Sequence, residues 1–174
     1  MKSYLKVSKH PQYWVLFTVL FFMTTALQSS AQTIERLEEK IAVQSADAQR
    51  LNNLTTGVHA SVYIENGSIK SFGNGPVVIA NVAPGDFSVM YNENPVFGSI
   101  ELLKINISNQ AELQNRLNLE KMQGFENLSF IIITFMYDTC GNNSENCIPA
   151  LVENLIPGLS DNLVTVCYKL SIPN

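Results

Sequence analysis

Leu128-Ser-Phe-Ile-Ile-Ile-Thr-Phe-Met-Tyr137 is almost continuously apolar, rich in β-branched and aromatic residues, and too short to cross a bilayer as a helix. Such a run predicts a strand buried on both faces, within a sheet that helices cover. Downstream lies the polar loop Asp138-Thr-Cys-Gly-Asn-Asn-Ser-Glu-Asn-Cys147, then a helix with Pro149 in its first turn and Ile148, Leu151, Val152 and Leu155 on one face. Ile156-Pro157-Gly158 ends that helix, and Leu163–Ile172 reads as the last strand. Upstream, Ser99–Ile107 reads as a strand with Ser108 or Asn109 as a cap. Ala111–Gln123 is helix-compatible, with Leu113 and Leu117 on one face, Gly124 as its left-handed terminator and Phe125 folding back on Leu119. Strand, helix, strand, helix, strand at this spacing predicts a βαβαβ unit with two right-handed crossovers and three parallel strands.

Further upstream the period is two. Ala60, Val62 and Ile64 alternate with His59, Ser61, Tyr63 and Glu65, and Asn66-Gly67 is a strong hairpin signal, so Ser68–Phe72 is the return strand. Val77–Val82 and Phe87–Tyr91 read as two more strands, separated by the turn Pro84-Gly85-Asp86, which suggests an antiparallel meander. Ile34, Leu37, Ile41, Ala48 and Leu51 mark an amphipathic helix over residues 32–56 that stops before Gly57, with Gln44 interrupting the stripe. The expected fold class is α+β (mixed α/β): an N-terminal helix and an antiparallel β-meander joined to a C-terminal βαβαβ unit.

The first residues carry Lys2, Lys6 and Lys9, followed by the apolar run Trp14–Leu27 and then Gln28-Ser29-Ser30-Ala31. A basic end, a short apolar core and a small-x-small site predict a signal peptide over residues 1–31 and a single mature globular domain over 32–174. The apolar run is shorter than a span and broken by threonines, which argues against a membrane anchor. Leu170-Ser-Ile-Pro-Asn174 has no apolar tail. Three of the 11 Lys and Arg and none of the 15 Asp and Glu precede the cut, so cleavage moves the formal net charge from −4 to −7. That balance leaves no basic stripe for nucleic acid and no stable membrane span.

Three cysteines in an exported chain suggest one bridge, Cys140–Cys147, closing the polar loop, with Cys167 a buried thiol. His59 is the only histidine after the cut, and there is no Gly-x-Ser-x-Gly, His-Glu-x-x-His, Cys-x-x-Cys or phosphate loop with a following lysine. No catalytic residue, metal or cofactor is therefore assigned. The cysteine loop is the candidate ligand site, because it leaves the carboxyl end of the central strand and runs into a helix N-terminus. Asp138, Asn142, Asn143, Ser144 and Glu145 could supply oxygen ligands to calcium, although EF-hand spacing is absent. Cys140 as an activated thiol lacks a basic neighbour, and a zinc set of Cys140, Cys147, Cys167 and His59 is scattered along the chain. Five Asn-x-Ser/Thr triplets, at Asn53, Asn66, Asn106, Asn127 and Asn142, are what abundant asparagine produces by chance. Tyr63, Phe72 and Tyr91 line one face of the meander, where aromatics are more often core than an exposed binding surface.

These readings converge on a secreted or periplasmic, non-catalytic binding or protein-interaction domain whose partner is a protein or small ligand. The 33–56 helix offers a route to an oligomer. The competing reading is a small extracytoplasmic enzyme, a hydrolase or thiol-dependent, with Cys140 or Asp138 at the carboxyl end of the central strand.

Overall fold

The apolar run forms a buried strand, Phe130–Phe135, in which only Thr134 falls short of full burial. It is the sixth of seven strands in a computed structural model that describes residues 34–142, 144–159 and 163–172. The strands are β1 (Glu35–Arg36), β2 (Ala60–Glu65), β3 (Ser68–Phe72), β4 (Val77–Val82), β5 (Leu102–Ile107), β6 (Phe130–Phe135) and β7 (Thr165–Leu170). Three α-helices accompany them among the described residues: α1 (Leu37–Ala42), α2 (Ala46–Thr56) and α3 (Ile148–Leu155). All belong to one unit, Gln32–Asn174. The signal peptide expected over residues 1–31 lies outside the described residues.

The sheet order is β1-β7-β6-β5-β4-β2-β3. Every neighbouring pair is parallel except the β2–β3 hairpin. The chain therefore steps along the sheet in one direction from β2 through β4, β5 and β6 to β7. Its connections all lie on one face. Phe87, Met90, Phe97 and Ile100 between β4 and β5, Leu117 between β5 and β6, and Ile148, Val152 and Leu155 between β6 and β7 share one core with Val62, Ala80, Leu103, Ile131, Ile133 and Val166. Strand starts at Val77, Leu102, Phe130 and Thr165 mean that each parallel step uses roughly 25–35 residues, the geometry of a coil that adds one strand per turn.

The α+β class and the parallel β5-β6-β7 unit are as the sequence predicts. The meander is not. After the β2–β3 hairpin, Gly73 and Gly75 adopt positive φ (89° and 97°) and swing the chain back across β2, so β4 pairs parallel with β2 instead of antiparallel with β3. Phe87–Tyr91 is not a strand. It belongs to a 3-10 helix, Pro84–Tyr91, whose three-residue period brings Pro84, Phe87 and Met90 to the core in one row. Ala111–Gln123 likewise gives two short 3-10 turns, Gln110–Gln114 and Leu119–Lys121. Asparagine side chains compete for the backbone there: Asn109 accepts from the N–H groups of Ala111 and Glu112, and Asn118 from Lys121. Leu117 is drawn into the core, and its N–H donates to the Leu155 carbonyl at 2.8 Å. Gly124 is left-handed (φ 81°), but Phe125 stacks on Phe97, ring centroids 4.5 Å apart.

The expected helix over 32–56 is interrupted. Glu35–Arg36 pairs with β7, and Val43 to Ser45 separates α1 from α2, with the Ser45 hydroxyl capping α2 at the Ala48 N–H, 3.1 Å away. The apolar positions Leu37, Leu51 and Leu54 pack on Ile79, Leu102, Phe130, Ile132 and Cys167. These two helices cover the second face of the sheet near the amino ends of its strands. They bury their stripe against the chain's own sheet.

Candidate functional site

The cysteine loop is tied down from within and from outside. Cys140 and Cys147 are disulfide-bonded, their Cα atoms 5.6 Å apart. Asp138 accepts the Gly141 N–H at 2.9 Å, and the Ser144 hydroxyl accepts the Asn146 N–H at 3.3 Å. Asn142 takes the left-handed conformation (φ 55°) and is exposed, while Asn143 lies outside the described residues. Glu145 is held by residues remote in sequence. One carboxylate oxygen lies 3.1 Å from the Arg36 guanidinium, and the other accepts the Tyr168 hydroxyl at 2.9 Å. Burial, followed by that hydrogen bond to a carboxylate, pushes the Tyr168 hydroxyl up to about 12.

This arrangement makes the loop a clasp. Arg36 comes from the edge strand β1 and Tyr168 from β7, so Glu145 ties the loop to two adjacent strands. Among the described residues no three His, Cys, Asp or Glu side chains gather as a metal site. The disulfide uses the Cys140 thiol that a thiol mechanism would need, and two of the thiolates of the zinc set. The third, Cys167, is a buried thiol on the α1–α2 side of the sheet, where burial pushes it up to about 11. His59 is engaged at 2.9 Å with the Asn53 carbonyl at the end of α2. The crevice expected after β6 requires neighbouring connections to leave on opposite faces. Here those of β4, β5 and β6 all leave on the same one.

Opening the clasp has a measurable expected cost. In the chain-entropy treatment, a bridge across seven residues contributes about 2 kcal/mol. The Cys140→Ser/Cys147→Ser variant is expected to lose that much in urea unfolding, with a denaturant slope equal to the wild type's or slightly steeper because the unlinked denatured chain is less compact. A loss under about 0.5 kcal/mol would mean the loop is held by Glu145 alone.

A different surface is open. On the face that α1 and α2 half cover, strand register places Lys70, Tyr63, Asn81 and Lys104 side by side across β3, β2, β4 and β5. The next row toward the carboxyl ends holds Asn106, Thr134 and Lys169 on β5, β6 and β7. Alternation places these polar side chains opposite the apolar residues that face the connections. Tyr63 is 39% exposed and Phe72 55% exposed, and their rings meet edge to face at 5.4 Å. With Ser61, Glu65 and Lys70 they line a shallow cavity of about 400 Å³. Tyr91 is elsewhere, its hydroxyl accepting the Asn118 N–H within the connections.

The core reading of the aromatics therefore fails for Tyr63 and Phe72. The lysines carried a signal that the sequence reading passed over. Lys104 and Asn106 alternate with Leu103, Ile105 and Ile107 in β5, which marks a strand with one face only partly covered. No protein-family model matches the chain, and neither a curated protein nor a solved structure matches it.

Proposed function

We propose that this chain is an exported, non-catalytic binding domain of the periplasm or cell exterior, and that its ligand lies on the open part of the sheet around Tyr63 and Phe72. The observation that carries this reading is the aromatic pair itself. Two large rings stand on a rigid sheet with a cavity beside them, although the same sheet buries its other large side chains under helices and connections. Exposed aromatic patches on rigid elements are favoured contact surfaces because little side-chain entropy is lost on binding. The disulfide fits an oxidising compartment, as does the basic-apolar-small pattern of residues 1–31. Of the candidate catalytic groups, His59 is engaged with the Asn53 carbonyl, Cys140 is in the disulfide, Cys167 is buried, and Asp138 accepts the Gly141 N–H.

The test is a panel of oligosaccharides and peptides, presented to the mature chain and to its Tyr63→Ala/Phe72→Ala variant. Ligands retained by the wild type are expected to lose roughly tenfold or more in affinity with the variant, as for aromatic anchors generally. Thermal melts check that the variant stays folded. Equal binding by both proteins would place the ligand elsewhere and defeat this reading.

A further inference from the structure

Resting on that reading, we infer that the ligand is an extended peptide segment of another protein, added antiparallel to the edge strand β3. It carries an apolar, an acidic and a basic residue at alternate positions. β3 ends the sheet, so β2 is its one strand neighbour. The turn Asn66-Gly67 fixes which backbone groups this leaves over. A two-residue turn makes its flanking pair, Glu65 and Ser68, a hydrogen-bonded one, and such pairs alternate along an antiparallel ladder. Ser68, Lys70 and Phe72 therefore turn their backbone groups to β2, and Ile69 and Ser71 turn theirs outward. Among the described residues nothing takes up those outward N–H and C=O groups. The edge is also held in place. The Asp86 carboxylate accepts the Asn66 and Gly67 N–H groups at 3.1 and 2.7 Å, and Ile69 packs against the core. An incoming strand meets a template that is already ordered.

The side chains decide what that strand carries. Phe72, Lys70 and Ser68 share the face that bears the cavity, opposite Ser61, Tyr63 and Glu65 of β2. A second copy of this chain fits poorly. Two β3 edges satisfy all their outward groups only with Lys70 opposite its own counterpart, where like charges oppose pairing. A carboxylate in that place pairs with Lys70, which makes no ion pair among the described residues. Opposite Phe72, two positions earlier in an antiparallel strand, a large apolar side chain covers the exposed ring. Opposite Ser68, two positions later, a long basic side chain passes over the small serine toward Glu65. That carboxylate is likewise without an ion pair among the described residues. The segment therefore reads apolar-x-acidic-x-basic. Its charges cancel, so the net charge of −7 after the cut does not repel it.

The experiment titrates the mature chain into the labelled, capped peptide Ser-Phe-Thr-Glu-Thr-Arg-Ser and follows fluorescence anisotropy. Both threonine N–H groups of the peptide would face β3, and the glutamate N–H would face away. The wild type is expected to bind it roughly tenfold or more tighter than the same peptide N-methylated at both threonines, while N-methylation at the glutamate costs little. Lys70→Glu, at an exposed position, is expected to lose about that factor and to regain it with a peptide bearing lysine in place of glutamate. Misfolding cannot produce that exchange, and thermal melts check every variant. Binding that survives threonine methylation but needs Tyr63 and Phe72 would overturn edge pairing and leave the aromatic reading standing. Methylation-sensitive binding that ignores Tyr63→Ala/Phe72→Ala would defeat the aromatic reading and, with it, the apolar position of the pattern. No binding of the peptide overturns the inference. So does wild-type dimerisation in sedimentation that the peptide disperses, which would make a second copy the occupant.

Discussion

Phe97→Ala is expected to remove about 3–5 kcal/mol of stability, the largest effect of any single truncation considered for this chain. Phe97 is fully buried in the 3-10 turn Pro95–Ser99 and stacks on Phe125, which belongs to the next connection along the chain. One side chain thus joins the β4–β5 and β5–β6 connections under the sheet. Its removal leaves a cavity in a region whose backbone is made of short turns, each stabilised mainly by what it buries. Domains of this size have about 5–15 kcal/mol in all, so the melting temperature is expected to fall by roughly 10–20 °C. Phe97→Leu, which keeps most of the volume, is expected to cost less than half as much. Urea unfolding of the two variants checks this. A Phe97→Ala cost below about 1 kcal/mol would mean that the two connections are not docked through this ring.

The second large effect is on the alkaline side. The Cys167 thiol is held up to about 11, first by burial and then by the balance of Lys40 against Glu35 and Glu38. Its folded form keeps the proton that the unfolded chain releases near its ordinary value of about 9. The thiol's contribution is therefore fully present below about pH 9 and is lost as pH rises toward 11, by up to about 2–3 kcal/mol. Tyr168 acts with the same sign one step higher, from its usual 10 toward about 12. Urea midpoints between pH 8 and pH 11 measure the combined loss. The comparison is made in the Cys140→Ser/Cys147→Ser background, where a thiolate has no disulfide to attack. Adding Cys167→Ala there should flatten the fall between pH 9 and 11 by about 2 kcal/mol. Parallel curves with and without the thiol would show that burial of Cys167 is not what ties stability to pH.

Much of the sheet was legible because its signals are local. The alternation of β2, the Asn66-Gly67 turn with positive φ at both residues, and the apolar run of β6 each declare themselves within ten residues. The Cys140–Cys147 bridge was legible from spacing alone. What was lost depends on competition between periods or on distance. Phe87, Val89 and Tyr91 alternate as a strand would, yet Pro84, Phe87 and Met90 also recur every third residue, and the core selected that row. Ser45 as a helix start was hidden inside a stripe that continued on both sides of it. The parallel pairing of β4 with β2 was set by the return path after Phe72, which no residue pattern in either strand records. The candidate loop was correctly seen as polar and bridged. That Glu145 serves Arg36 and Tyr168 could not be seen, because both partners come from other strands. The open face escaped because a strand's alternation does not say which of its two sides will be covered.

The short strand β1 finds its partner in β7, about 130 residues further along the chain. Contacts of such separation form slowly, since a long loop must close before they contribute anything. A chain entering its folding compartment amino end first would carry β1 and α1 without their edge of the sheet until the last strand arrived. That edge, with the Glu145 clasp attached to it, would then be the last part to set and the first to open. Slow amide exchange in the middle of the sheet and fast exchange at Glu35 and Arg36 would be the visible trace of that order.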